Sequence, residues 1–183
     1  ITNIGMNPSR TGVLQALQNM GADIEVRNQR LESGEPCADL IIKKSILKGV
    51  ELSGDIIPNI IDEIPIISIA AAFAEGETII RDAEELRVKE SDRLEAVSDG
   101  FSRLGVAHEN FEDGMSIMGS PNPLLLDQSI SIESHEDHRI AMSFLIAGLK
   151  CSKPITIMNC KNIFTSFPDF IELISSIGYK LEK

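Results

Sequence analysis

Glu85-Leu86-Arg87-Val88-Lys89-Glu90-Ser91-Asp92-Arg93-Leu94 puts six ionisable side chains into ten residues, with Leu86, Val88 and Leu94 as apolar anchors. From Lys89 onward the stretch reads as the start of a helix. Lys89 and Arg93 stand four apart and Glu90 three before Arg93, so a helix stacks all three on one face. Two cations and a carboxylate then meet at a helix N-terminus, where free backbone N–H groups already favour an anion. The same pattern also describes a solvated face of ion pairs, and residue chemistry leaves both readings open.

Outward from this stretch, glycines that end helices expose a repeat. One residue before Gly21, Gly105 and Gly178 stand Met20, Leu104 and Ile177; four before stand Leu17, Phe101 and Ile174; eight before stand Val13, Val97 and Phe170. Each set is an apolar stripe on one helix face. Twelve before stand Ser9, Arg93 and Ser166, polar residues at helix starts. The first helix is expected from an N-cap at Ser9 through Met20. Strands at Ala22 to Arg27 and Asp39 to Lys44 follow, around a polar loop containing Gly34 and Pro36. Asp62 reads as the N-cap of a helix with Pro65 in its first turn, running to about Ala74. Thr78 to Ile80 is a short strand, Ser91 to Leu104 a helix, and two strands are split by an Asp113-Gly114 turn. Asp137 caps a helix to about Leu149, and Ile155 to Met158 is a strand. Ser166 caps the last helix, with Asp169 at the capping-box position. Three similar units, at roughly residues 1–50, 51–120 and 121–183, predict one α/β (α+β) domain around a shared core rather than an open solenoid.

The 183 residues fit one large domain or two small ones, and a hydrophobic fraction of 43% suffices for a core that must be aliphatic, since Trp is absent. A net charge of −11 argues against nucleic acid and anionic membrane surfaces as partners. It does not exclude anionic substrates, because a local Lys/Arg cluster outweighs a global charge. Cys37, Cys151 and Cys160 lack metal-ligand spacing and read as reduced thiols in a reducing, cytoplasmic compartment. No signal-peptide pattern is present, and the longest apolar run, Ile64 to Ala74, is too short for a bilayer. The chain opens at Ile1 on what reads as a strand in progress, the expectation for a piece of something longer.

Leu86 to Leu94 resembles the signature of the 5-enolpyruvylshikimate-3-phosphate synthase family, the 3-phosphoshikimate 1-carboxyvinyltransferases. Three other stretches agree in order. Asn7-Pro8-Ser9-Arg10-Thr11-Gly12 resembles the opening of the family's C-terminal domain. Asp62-Glu63-Ile64-Pro65, running into Ala70 to Gly76, resembles its central helix. Asp137-His138-Arg139-Ile140-Ala141-Met142 and Ser166-Phe167-Pro168-Asp169-Phe170 resemble its last helices. The resemblance implies β-α-β-α-β-β units in one half of an inverted α/β barrel enzyme, with the site in a cleft against an N-terminal domain. The implied reaction joins phosphoenolpyruvate to the 5-hydroxyl of shikimate 3-phosphate and releases phosphate, without metal or redox cofactor. Such chemistry needs Lys, Arg and helix N-termini for two phosphates and two carboxylates. It also needs a base for the hydroxyl proton and an acid for the enol methylene carbon.

By position, the resemblance gives Asp62 as the base and Glu90 as the proton-transfer group. It places Asp62 and Lys89 at shikimate 3-phosphate, and Arg93 and Arg139 at phosphoenolpyruvate, with His138 beside Arg139 in a secondary place. For Asp62 a plain cap remains the competing reading. Two positions depart from the best-known members: Thr165 stands in place of a lysine and Glu85 in place of an asparagine. Both changes resemble the family's second class. A monomer that folds but does not turn over by itself is expected. Two other readings are a UDP-N-acetylglucosamine enolpyruvyl transferase, which lacks the Lys-Glu-Ser-Asp-Arg pattern, and a non-catalytic binding domain of the same fold.

Overall fold

The three helix-ending glycines all adopt the left-handed conformation, with φ of +91° at Gly21, +72° at Gly105 and +96° at Gly178. They close α1 (Gly12–Asn19), α4 (Arg93–Leu104) and α7 (Phe170–Ser176) in a computed structural model that describes residues 1–179 and 181. The other helices are α2 (Ile57–Ile60), α3 (Ile64–Ala72), α5 (His138–Gly148) and α6 (Ile163–Ser166). The strands are β1 (Ile4–Gly5), β2 (Asp23–Glu32), β3 (Glu35–Lys43), β4 (Glu51–Leu52), β5 (Gly76–Ile80), β6 (His108–Phe111), β7 (Gly114–Gly119), β8 (Ile130–Glu133) and β9 (Ile155–Met158).

They form three sheets, ordered β1-β3-β2, β4-β5-β7-β6 and β8-β9. The middle unit carries the full β-α-β-α-β-β series. Its first two strands are parallel and its last two complete an antiparallel edge. The first unit repeats the last four elements of that series and the third repeats the first four, among the described residues. The fold class is therefore as expected: mixed helix and sheet in repeating units. α3 is apolar on every side and accordingly buried, packed against α1, α5 and β7. The buried apolar side chains from α1 to α7 form one contiguous cluster.

Several local expectations fail for physical reasons. Ser9 does not cap α1: the Asn7 side chain accepts from the Ser9 amide at 3.0 Å and its hydroxyl at 2.9 Å, so the helix starts three residues later. Asp62 does not cap α3. The turn after α2 feeds directly into that helix, whose N-cap residue is Glu63, and the Asp62 carboxylate points at cations instead. The loop expected before Asp39 is a tight hairpin turn. Ser33 (φ 52°) and Gly34 (φ 88°) supply the positive φ pair that such turns need, so both strands run to the tip. Between β6 and β7 the turn residues are Glu112 and Asp113, and Gly114 is already paired with Phe111. Glu84–Val88 is a 3-10 turn that buries Leu86 and leaves Val88 80% exposed, and Lys89 is extended, so the long helix starts only at Arg93. Ser166 ends α6, and Asp169 stands at the N-cap of α7 without a side-chain bond. The third stripe loses its last member, since Ile177 is exposed. α1 and α4 pack on β2 and β6, strands without a counterpart in the third unit among the described residues.

α4 and α5 touch where Phe144, fully buried, rests on Gly100; a Cβ there would meet the ring at 2.0 Å. Gly100→Ala gains roughly 1 kcal/mol of helix propensity, but overpacking a closed core costs about 1–3 kcal/mol. The net expectation is a lower urea midpoint. An unchanged or raised midpoint would show that the contact yields more easily than its geometry implies.

Candidate active site

Three helix starts meet around one carboxylate. Asp62 precedes α3, Lys89 and Glu90 precede α4, Arg93 is the first residue of α4, and Arg139 is the second of α5. Asp62 Oδ1 lies 3.2 Å from Arg93 Nη1 and 3.8 Å from Lys89 Nζ; its Oδ2 lies 3.6 Å from Arg139 Nη2. Arg139 Nη1 also donates to the Asp62 carbonyl at 2.9 Å and stands 3.6 Å from Glu63. Glu90 accepts from Arg93 Nη2 at 2.6 Å, and Lys89 is bonded to Glu85 as well. A cleft of about 220 Å³ opens here, lined by Asp62, Glu63, Arg139, Met142, Phe167 and Phe170 among others.

Five of the six sequence candidates thus gather in one place: Asp62, Lys89, Glu90, Arg93 and Arg139. Lys89 and Arg93 reach Asp62 without sharing a helix face, because the chain is extended at Lys89. The His138 side chain makes no hydrogen bond or ion pair among the described residues and is not part of the cluster.

The cluster includes two residues that sequence reasoning did not mark. Glu63 bridges Arg139 to Arg10, 3.8 Å away. Asp137, read only as a helix cap, does cap α5: its Oδ1 accepts from the amides of Arg139 (2.8 Å) and Ile140 (3.4 Å). Its other oxygen accepts from Arg93 Nε at 2.8 Å and from the Ser91 hydroxyl at 3.2 Å. Asp137 is 0% exposed and the Arg93 side chain 1%. The only signal in the sequence was indirect: a capping aspartate uses one oxygen, and the second seeks a partner. Arg87, inside the opening stretch, has a different task. It donates to the carbonyls of Phe111 and Glu112 and to Asp92, tying the β6–β7 turn to the start of α4.

Burial pushes the Asp137 carboxyl upward, but the hydrogen bond and charge of Arg93, with the two backbone amides, outweigh it and hold the group below its usual range. A depressed folded value means stability that is complete above the unfolded value, about 3.9, and is lost as pH falls through the folded one. Acid titration of stability should therefore show a loss beginning near pH 4 that is missing from Asp137→Asn. A variant with the same acid limb as the parent would contradict this.

The EPSP synthase (3-phosphoshikimate 1-carboxyvinyltransferase) family model matches residues 1–174. The 3-phosphoshikimate 1-carboxyvinyltransferase of Magnetococcus marinus is 47% identical over 182 residues, covering 100% of this chain and 40% of that protein. The protein of that name from Rhizobium johnstonii is 49% identical over 184 residues, covering 100% and 41%. EPSP synthase of Acinetobacter baumannii superposes with a TM-score of 0.94 at 47% identity, covering 100% of this chain and 42% of that one. The enolpyruvyl transferase NikO of Streptomyces tendae, at 21% identity and a TM-score of 0.68 over 93% of this chain and 36% of its own, shares the fold. The chain spans about two fifths of the length of these curated relatives. With a family model running through nearly every residue, including the cluster of charges around Asp62, the chain belongs to the EPSP synthase family.

Proposed function

We infer that this chain is a single domain, residues 1–183, supplying one wall of the site of a 3-phosphoshikimate 1-carboxyvinyltransferase, with the opposite wall on an N-terminal domain of the same enzyme. The observation that carries the reading is the convergence of Lys89, Arg93 and Arg139 on Asp62, with Glu90 against Arg93. In an acidic protein, three cations gathered on one carboxylate, beside a cleft that Asp62 and Arg139 line, suit doubly anionic substrates. In this reading Asp62 takes the proton of the 5-hydroxyl of shikimate 3-phosphate, and Lys89 holds that substrate. Arg93 and Arg139, with His138 at the margin, hold phosphoenolpyruvate. Glu90 delivers a proton to the enol methylene carbon, making the neighbouring carbon electrophilic for the hydroxyl oxygen. The tetrahedral adduct then loses phosphate with the proton traffic reversed: Asp62 gives its proton to the departing phosphate and Glu90 takes one back from the methyl group, restoring the double bond.

The proposal includes no cofactor, a monomeric enzyme and a cytoplasmic setting. No helix among the described residues is long and apolar enough to cross a membrane. The test is phosphate release by the full-length chain. Release that needs both phosphoenolpyruvate and shikimate 3-phosphate supports the reading; none with the pair together rejects it.

A further inference from the structure

Each of the three nitrogens of Arg93 donates to a different carboxylate, and the three are of unequal standing. Nη2 meets Glu90, whose side chain is 52% exposed, and Nη1 meets Asp62, 30% exposed. Nε meets Asp137, which is wholly buried. Arg93 itself is 1% exposed, so an incoming anion would reach the outer edge of its guanidinium by displacing the partly exposed Glu90 or Asp62, whereas Nε faces the buried Asp137. Asp137 is also fully committed: two amides of α5 on one oxygen, Arg93 and Ser91 on the other. A cap alone would be served equally by Asn or Ser; only a carboxylate caps α5 and neutralises Arg93 at once.

The backbone before it is strained in its favour. His135 and Glu136 are successive non-glycine residues at φ of 53° and 58°. Their turn is held by the buried Ser134, which donates to the Asn159 carbonyl, and by Asn162, which donates to the Glu136 carbonyl. The result delivers Asp137 to a buried point where the starts of α4 and α5 come within reach of its side chain.

The geometry points to Asp137 as a positioning residue that grips Arg93 by Nε and keeps the outer edge of its guanidinium, held by Glu90 and Asp62 in the meantime, presented to the anionic groups of phosphoenolpyruvate. This rests on the functional reading above. In the full-length enzyme, Asp137→Asn keeps the size and the capping oxygen but turns an amide toward Arg93. The KM for phosphoenolpyruvate should rise by about tenfold or more, as for a lost charge-assisted contact. The KM for shikimate 3-phosphate and kcat at saturation should move by no more than about threefold. A residue that only caps a helix would leave both KM values in place, because Asn caps as well as Asp, and that result would overturn the proposal. Should Asp137→Asn fail to fold, Ser91→Ala decides. It removes one hydrogen bond from the same oxygen, and the same KM should rise by roughly two- to fivefold; an unchanged value overturns the proposal. The wild-type control separates the two ideas, since absence of phosphate release there rejects the functional reading itself.

Discussion

Arg93→Ala in the full-length enzyme should abolish useful phosphoenolpyruvate binding and strip several kcal/mol from stability, the largest combined effect of any single change in this chain. The side chain is buried, and its removal leaves Asp137 at 0% exposure with an uncompensated charge. Breaking a buried pair from one side costs about 3–5 kcal/mol. The sign of the pH dependence should also invert. In the parent, Arg93 holds the Asp137 carboxyl low, so acid destabilises. In Arg93→Ala, burial without a cation pushes that carboxyl above its unfolded value. Stability is then best below the unfolded value and is lost as pH rises through the folded one. Urea midpoints for both proteins between pH 3.5 and 7, as a rough experimental window, would check this. A variant that becomes more stable as pH rises from acid to neutral would contradict the account.

Glu90→Gln should do the opposite: leave the fold alone and stop the chemistry. Glu90 is exposed, and its bond to Arg93 survives with a neutral amide oxygen as the acceptor. An exposed substitution of this kind shifts stability by no more than about 0.5 kcal/mol. Losing the proton-transfer group should lower kcat by roughly 100-fold or more, with the KM for phosphoenolpyruvate largely kept. Asp62→Asn should match it in kcat. Because Asp62 is not the cap of α3, any loss of stability there reports the three cations it faces rather than a helix end. Full turnover in either variant would remove that residue from the proton traffic.

How far the sequence reaches is clear from particular residues. Glycine positions located three helix ends because a left-handed residue there has a strong local cause, and the apolar stripes placed Met20, Phe101 and Ile174 in the core. Helix starts were harder. Ser9, Asp62 and Ser166 all look like caps, yet each side chain is needed elsewhere or meets no free helix amide, and tertiary contacts decide such competition. The short α2 and the strand β8 left no periodic signal. In the site, the charged residues of the Lys-Glu-Ser-Asp-Arg stretch were visible as a motif, but their partners were not. Asp137 lies 44 residues from Arg93 in the chain, and no local pattern announces a pair of that span.

The most direct test of the central claim, that the charge cluster around Asp62 and Arg93 protonates the methylene carbon of phosphoenolpyruvate before phosphate leaves, is turnover of the full-length enzyme in deuterium oxide. If Glu90 delivers a solvent-derived proton to the methylene carbon, the transient methyl group holds deuterium, and mass spectrometry should find it in the enolpyruvyl methylene of the product. Product formed at full rate with no deuterium on that carbon would contradict the account.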